Sequence, residues 1–207
     1  MARPRLNTRR IPPGAIRVEL PDTRQQEDYT CGASCFQSIA AYFGVLAPDC
    51  EEPDLVRLMG IQSDVGAHPH HILRGIAHYK LEHEECFDMS VDDVRRRLDK
   101  ARPVMLMIQA WHETDRRKRR WRGYADEWDE GHWVAAIGYD RSAMFFEDPS
   151  LATSRGWLTY AELATRWHDV GPYWLKPYER HMRNYGIAIW KNPVRRPPYH
   201  RTAAHID

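Results

Sequence analysis

Residues 25–35 read QQEDYTCGASC, and this stretch decides how the rest of the chain is interpreted. Apolar residues follow it at helical spacing: Phe36, Ile39, Ala40 and Phe43. This pattern, with a glycine directly after it, predicts a helix over Cys31–Phe43. Cys31 falls in the first turn, where unpaired backbone N–H groups and the helix dipole favour an anion. A thiolate is such an anion, so the sequence predicts a reactive cysteine.

Two neighbours of Cys31 are expected to serve the same site. Gly32 is expected to leave space beside the sulfur for a substrate backbone. Gln25 lies six residues before Cys31 on an extended approach, and its amide N–H is positioned to donate to a developing oxyanion. Gln26 is the alternative donor.

The second half of the expected site is GHWVAAIGYDRSAMFFEDPS, residues 131–150. Two strand-like runs, His132–Tyr139 and Ala143–Glu147, predict a hairpin with its turn centred on residue 140. In such a hairpin His132 and Asp148 are equidistant from the turn and share one face of the sheet. A carboxylate there accepts from one imidazole nitrogen and leaves the other facing the thiol, as nucleophilic catalysis requires.

Together these segments resemble the papain-like bacteriocin-processing peptidases, also called double-glycine leader peptidases. The resemblance rests on QQEDYTCGASC, GHWVAAIGYD and FEDPS, and it covers about residues 24–150. It implies a cysteine peptidase in which Cys31 is the nucleophile, His132 its base, Asp148 the residue that orients the base, and Gln25 an oxyanion-hole donor. It also implies a peptide or protein substrate and a reaction that needs neither a metal nor an organic cofactor.

The order of the predicted elements indicates an α+β fold. Four early helices are expected at residues 31–43, 53–59, 69–79 and 90–100, with a strand at 81–87. Four later strands are expected at 103–110, 132–139, 143–147 and 186–191, with a helix at 160–168. This order is typical of a papain-like arrangement, in which a helical N-terminal part with the cysteine packs on a mostly antiparallel sheet with the histidine and aspartate.

Both ends of the chain are rich in Pro and Arg. We therefore expect an extended arm over residues 1–22, one peptidase domain over 23–191, and a loose tail over 192–207. The 207 residues, 43% of them hydrophobic, suffice for one domain with a substantial core. A net charge of +1 favours neither nucleic acid nor a membrane surface as the default partner.

The sequence also bears on cellular location. No apolar run of about 18 residues occurs, so no transmembrane helix is expected. The chain therefore resembles a stand-alone member of the double-glycine leader peptidase family. The N-terminus has no apolar core of a secretion signal. The four cysteines form no CxxC pair, which favours reduced thiols in a cytoplasmic protein. Nothing in the sequence indicates the oligomeric state.

Two further segments have competing interpretations. His68, His70 and His71 form a cluster, but His70 and His71 point about 100° apart on a helix, so surface histidines are favoured over a metal site. In the charged loop 111–131, RRKRRWR is followed by the acidic DEWDE. A solvated, self-paired loop that acts as a lid is favoured, and nucleic-acid binding is the alternative.

The expected site residues are compatible with two other functions. The same fold supports acyl transfer in transglutaminase-like and phytochelatin-synthase-like enzymes, and the sequence does not separate water from an amine as the acyl acceptor. A non-catalytic peptide-binding domain is the second alternative, although a complete Gln, Cys, His and Asp set speaks against it.

Overall fold

The computed structural model of the protein describes residues 8–47, 50–111, 123–171, 181–191 and 202–206. The helices in these ranges are α1 Cys31–Tyr42, α2 Glu52–Met59, α3 Pro69–His78, α4 Val91–Leu98 and α5 Tyr160–Arg166. The strands are β1 Thr8–Arg10, β2 Glu82–Cys86, β3 Val104–Gln109, β4 Gly131–Tyr139, β5 Ala143–Glu147, β6 Arg155–Thr159, β7 His168–Val170, β8 His181–Arg183, β9 Gly186–Trp190 and β10 Thr202–His205. The basic run at 116–122 lies outside the described residues.

The main sheet confirms the predicted α+β class. Six strands pair antiparallel in the order β6-β5-β4-β3-β9-β2. The early helices pack on this sheet, and α1 lies directly on β4. Strands β7 and β8 form a separate two-stranded sheet, and β7 contacts β3.

Helix α1 is the central helix of the helical layer. Nearly all of its residues are buried, because β4 covers one side and α2 and α3 cover another. Ala33, Phe36 and Ile39 are fully buried among these neighbours. The first turn of α1 is therefore held in place by the core, which fixes the direction in which Cys31 points.

The two chain ends extend the sheet in a way that the sequence pattern did not predict. Strand β10 pairs parallel with β6, and β1 pairs antiparallel with β10. Between β1 and α1, the apolar residues Ile11, Ala15, Val18 and Leu20 are buried in the core. The residues 202–205 thus form a strand within the segment that was expected to be a loose tail. The proposed boundaries at 22/23 and 191/192 stay predictions.

Most element ends lie within two residues of the predicted ones, and capping and strand pairing each explain one difference. Helix α4 begins after Ser90, whose hydroxyl accepts a hydrogen bond from the Asp93 N–H at 3.2 Å, so Ser90 is the cap rather than the first helical residue. Helix α5 ends at Arg166, and the prediction that it continues to His168 was wrong because residues 168–170 pair with β8. No helix among the described residues is long and apolar enough to span a bilayer.

Candidate active site

The hairpin that carries His132 contains a β-bulge. Near the turn Tyr139 pairs with Met144, whereas farther along Ala135 pairs with Glu147. One extra residue, Ile137, therefore sits in β4 between these two parts of the ladder.

The bulge decides which face of the sheet His132 shares with Asp148. The observed register, extended by one residue, places Asp148 across from Val134, two positions from His132 and on the same face. Without the bulge Asp148 would lie across from Ala135, and its side chain would point to the face opposite His132. The predicted pairing of His132 directly with Asp148 about a turn at residue 140 was therefore wrong, although the two side chains do meet.

Residues 15–18 hold the bulge in place. The carbonyl oxygen of Ile137 accepts hydrogen bonds from the N–H groups of Arg17 and Val18, both at 2.9 Å. The next residue, Gly138, lies so close to this segment that a Cβ atom on it would be 2.3 Å from the carbonyl oxygen of Ala15. The N-terminal segment thus stabilises a backbone irregularity about 120 residues away in sequence.

His132 and Asp148 form a buried ion pair at the start of β4. The Nε2 atom of His132 lies 2.9 Å from Oδ1 of Asp148, and both side chains are fully buried. Burial by itself lowers the pKa of His132, but Asp148 and then Cys31 raise it to about 10. Burial likewise favours the neutral form of Asp148, yet His132 and the N–H and hydroxyl of Ser150 bring the pKa of Asp148 below its ordinary value.

Cys31 lies on the other side of the imidazole. It is the first residue of α1, it is 6% exposed, and it lines a cleft of about 780 Å³. The Nδ1 atom of His132 is buried and makes no regular hydrogen bond with a described residue. Cys31 nevertheless interacts with this ring strongly enough to raise its pKa. The structure therefore brings together three of the predicted site residues: Cys31, His132 and Asp148.

Gly32 has a different role from the expected one. A Cβ atom at Gly32 would lie 2.5 Å from the Cβ of Ala67 and 3.1 Å from Cδ1 of Trp133. The glycine therefore lets α1 pack closely against its neighbours, and it does not hold open a space for substrate. The Nε1 atom of Trp133 donates to the carbonyl oxygen of Ala67 at 2.6 Å, which fixes this contact.

Gln25 lies in a cleft that adjoins the one lined by Cys31, and Glu27, Asp28 and Gly131 line both. Its Nε2 atom donates to the carbonyl oxygen of Glu27 at 2.9 Å. An amide nitrogen carries two hydrogens, so one remains for another acceptor. The oxyanion role of Gln25 stays a prediction.

A buried ion pair that the sequence analysis did not single out anchors the approach to Gln25. Glu147 and Arg155 face each other across β5 and β6, are both buried and form a close ion pair. Glu147 also accepts from the N–H of Thr23 at 3.1 Å, and Arg155 forms a 3.0 Å ion pair with Asp22. The segment that leads to Gln25 is thereby tied to the same hairpin that carries His132.

Glu52 gives the turn before α1 a second anchor. This carboxylate is 3% exposed and accepts from the N–H of Gln26 at 2.9 Å and from the hydroxyl of Thr30 at 3.1 Å. It also accepts from the hydroxyl of Ser34 within α1. Because it binds both the loop and the helix, Glu52 fixes the direction from which the chain reaches Cys31.

Cys35, one turn after Cys31, is a core residue. Its thiol is fully buried and donates to the carbonyl oxygen of Trp133 at 3.2 Å. Burial raises its pKa well above the ordinary value, so this thiol stays neutral.

Two residues that the sequence analysis did not assign to the site lie beside His132. The ring of Trp111 is 4.6 Å from the His132 ring, measured between centroids. The Asp169 carboxylate lies against Gly131, where a Cβ atom would be 2.3 Å from Oδ2 of Asp169. No local motif marks either residue, since one lies in the charged loop and the other follows the predicted last helix.

The histidine cluster borders the cleft. His68 lines it, and the N–H of His68 donates to Nδ1 of His71 at 2.9 Å. Burial lowers the pKa values of His68, His70 and His71, that of His71 to about 4. Within the described ranges, no three or more His, Cys, Asp or Glu side chains are grouped so that they could hold a metal ion.

The solved structures of similar fold compared below are described as peptidases or peptidase domains. A chain from Bacillus anthracis described as a C39-like peptidase superposes with a TM-score of 0.60 at 13% identity, covering 86% of this chain and 98% of that one. The peptidase domain of Streptococcus ComA, a bifunctional ABC transporter involved in quorum sensing, gives a TM-score of 0.54 at 13% identity over 83% and 96%. A double-glycine motif protease from an AMS/PCAT transporter, in complex with the leader peptide, gives 0.52 at 15% identity over 87% and 96%. At these identities the likeness concerns the fold alone.

Sequence comparison assigns the family. No curated protein matches the chain. The profile of the Peptidase_C39 like family matches residues 18–174, which include α1, the bulged hairpin and the cleft. The chain therefore belongs to the Peptidase_C39 like family, a family of cysteine peptidases.

Proposed function

We propose that the protein is a cysteine peptidase that cleaves a peptide or amide bond through a thioester on Cys31. The observation that carries the proposal is the buried His132–Asp148 pair beside Cys31. Asp148 contacts Nε2 of the imidazole, and the other ring nitrogen, Nδ1, makes no regular hydrogen bond with a described residue. This is the arrangement of nucleophile, base and orienting carboxylate that covalent catalysis requires.

The charge state of His132 supports a thiolate mechanism. With a pKa raised to about 10, His132 is protonated at neutral pH. An imidazolium beside the first turn of α1 stabilises a negative sulfur at Cys31. Asp148, which stays ionised, holds the ring by Nε2 and stabilises its positive charge. The His132 imidazolium therefore balances the negative charge that the sulfur carries during the proposed attack.

The reaction follows from these positions. The Cys31 thiolate attacks the carbonyl carbon of the substrate, and the carbonyl oxygen becomes an oxyanion. The remaining N–H of Gln25 and the backbone N–H of Cys31 donate to that oxyanion. His132 gives its Nδ1 proton to the leaving amine as the C–N bond breaks, which leaves a thioester. Water then attacks the thioester while His132 accepts its proton, and the product acid leaves as the thiolate re-forms.

The substrate class rests mainly on the family. The cleft that Cys31 lines, about 780 Å³, has the volume of a site for a drug-sized ligand, which is also enough for a few residues of a peptide. A structural relative is described in complex with a leader peptide. A peptide or protein is therefore the substrate that we propose for this chain.

The test compares the wild type with Cys31→Ala on a peptide library, with products identified by mass. We expect cleavage by the wild type and a loss of at least about a thousandfold in the variant, because the nucleophile carries the covalent step. Cys50→Ser is the matched control for the loss of a thiol elsewhere and should retain activity. Products that carry the mass of water identify hydrolysis, whereas products that carry an added amine identify acyl transfer. Undiminished cleavage by Cys31→Ala would refute the proposal.

A further inference from the structure

The cleft beside Cys31 contains an ionisable side chain that the proposed mechanism does not use. Asp169 lies in β7, and its carboxylate packs on Gly131, the residue directly before His132. Asp169 and Gly131 both line the cleft that Cys31 lines. A substrate bound for attack by Cys31 would therefore pass within reach of the Asp169 carboxylate.

Among the described residues, hydrogen-bond donors contact only one oxygen of this carboxylate. Oδ1 accepts from the N–H of Val170 at 2.7 Å and from Nε2 of Gln109 at 3.2 Å. Oδ2, which lies over Gly131, accepts no hydrogen bond from any residue that the structure describes. Among those residues Asp169 also has no ion-pair partner of the usual distance, although it lies within electrostatic range of His132.

Gln109 holds Asp169 in this position. Its side chain is fully buried at the end of β3, and Nε2 donates both to Asp169 and to the carbonyl oxygen of His168 at 3.1 Å. Its Oε1 accepts from the N–H of Glu130 at 3.0 Å. The buried amide of Gln109 thus binds both β7 and the residue before Gly131, and it fixes the distance between them. The Asp169 side chain is therefore held in one orientation.

The rest of the cleft wall has the same charge sign. The other carboxylates that line it are all exposed: Glu27, Asp28, Asp64 and Asp129. The described lining contains no Lys or Arg, and its histidine, His68, has a pKa lowered by burial. Apolar side chains, including Met107 and Trp133, form the remaining surface. The charges of the described lining therefore attract cations and repel anions.

We propose that Asp169 is a specificity-determining residue that binds a positively charged group of the substrate, and that the substrate is a cationic peptide with a Lys, an Arg or a terminal amine near the scissile bond. The inference rests on the proposed function, since it concerns what the same cleft accepts. A partly buried carboxylate that has no ion-pair partner among the described residues is costly, and a substrate cation on Oδ2 would offset that cost. The pKa of Asp169, raised to about 7 by burial, agrees with an unpaired carboxylate.

The test measures how charge affects the access of small reagents to Cys31. Methanethiosulfonates with a trimethylammonium or a sulfonate end are compared, each normalised to its rate with a free small thiol. In both cases the Cys31 thiolate attacks the reagent sulfur, a disulfide forms and methanesulfinate leaves. Peptide mapping by mass identifies modification at Cys31. The ratio of the two rates cancels the reactivity of the thiolate and isolates the effect of charge.

We expect the wild-type ratio to favour the cation by about tenfold at low salt. Asp169→Asn should reduce this ratio by about fivefold, since it removes an oriented carboxylate from the cleft wall. Asp169→Ser removes the same charge with a smaller side chain and should behave alike. Asp64→Asn is the matched control, because it removes one charge from the same cleft at an exposed site, and it should reduce the ratio less.

The outcomes separate this inference from the proposed function. Equal normalised rates in the wild type, or an equal effect of Asp64→Asn and Asp169→Asn, would overturn the role of Asp169 and leave the function of Cys31 intact. If neither reagent modified Cys31, the proposed function itself would fail, and this inference would fail with it. On the library, a wild-type preference for peptides with lysine over matched peptides with norleucine, reduced in Asp169→Asn, would support the inference at the level of substrate.

Discussion

The carboxylates of Asp148 and Asp169 both lie against the start of β4, yet their environments leave them in different charge states. Asp148 contacts the imidazole of His132, and Asp169 contacts the backbone of Gly131 next to it. Burial raises the pKa of both carboxyl groups. His132 more than reverses this effect at Asp148, whereas the N–H of Val170 and the amide of Gln109 reverse it only in part at Asp169, whose pKa remains at about 7.

The difference teaches that the partner, rather than burial, sets the charge of a carboxylate in this site. A cationic partner gives Asp148 a permanent charge, which suits a residue that orients a base. Neutral hydrogen-bond donors leave Asp169 poised between its two forms, which suits a residue that gains its cation from a ligand. The predictions below test this contrast.

The largest effect is expected from Asp148→Asn. The change removes the charge that stabilises the His132 imidazolium, so kcat should fall by about two to four orders of magnitude. Because Asp148 is what raises the pKa of His132 against the effect of burial, the alkaline limb of the kcat/KM profile should also move to lower pH. Residual activity should be profiled from pH 5 to 11. An unchanged alkaline limb would contradict the ion pair as described.

Gly131→Ala should have an intermediate effect and acts on the other carboxylate. The new Cβ would lie 2.3 Å from Oδ2 and 2.7 Å from Oδ1 of Asp169, so Asp169 must leave its bonds to Val170 and Gln109. We expect a loss of about 1–3 kcal/mol in the free energy of unfolding, as for other overpacked sites. Urea denaturation measures it. In an Asp169→Gly background the same change should cost much less, and equal costs would rule out the contact.

Asp169→Asn should change how stability depends on pH. The folded-state pKa of Asp169, about 7, lies above the ordinary value of 3.8, so the folded protein binds more protons between these two pH values. This group therefore makes the free energy of unfolding fall as the pH rises through that window. The variant lacks the titration, and its curve from pH 4 to 8 should be flatter than that of the wild type. Parallel curves would show that Asp169 is ionised throughout.

The smallest effect is expected from Trp111→Ala. The Trp111 ring lies 4.6 Å from the His132 ring in a tilted arrangement, and we expect it to stabilise the imidazolium by about 0.5–1 kcal/mol through cation–π attraction. Its loss should lower kcat/KM a few-fold and shift the alkaline limb slightly downward. Trp111→Phe should retain most of the activity, since a ring remains over the imidazole. A loss in Trp111→Phe as large as that in Trp111→Ala would point to a role outside this ring contact.

Local pattern was enough to predict much of the site. Helical spacing placed Cys31 at the first residue of α1, and two strand-like runs placed His132 and Asp148 on one hairpin. Two capping boxes likewise mark helix starts within a few residues of sequence, since Ser90 bonds with Asp93 and the Thr159 hydroxyl accepts from the N–H of Glu162. These features depend on residues that are close together in sequence, and such residues carry their own signal.

The features that were missed depend on contacts between distant segments. The bulge at Ile137 is stabilised by Arg17 and Val18, and no property of the hairpin alone predicts it. The position of Asp169 is set by Gln109, about 60 residues earlier. The packing role of Gly32 was missed because Ala67, the residue it packs against, lies in a distant segment of the sequence. Pairings of this kind follow from tertiary structure, which a single sequence does not display.

The bulge at Ile137 also bears on the order of folding. Helix α1 can form from local contacts, but His132 and Asp148 reach a common face only after residues 15–18 have closed a loop of more than a hundred residues. Such long closures are slow compared with helix formation. Cys31 should therefore be present on a folded helix before its imidazole partner arrives, and a thiol-reactive probe in a refolding experiment would report the last step of assembly rather than the first.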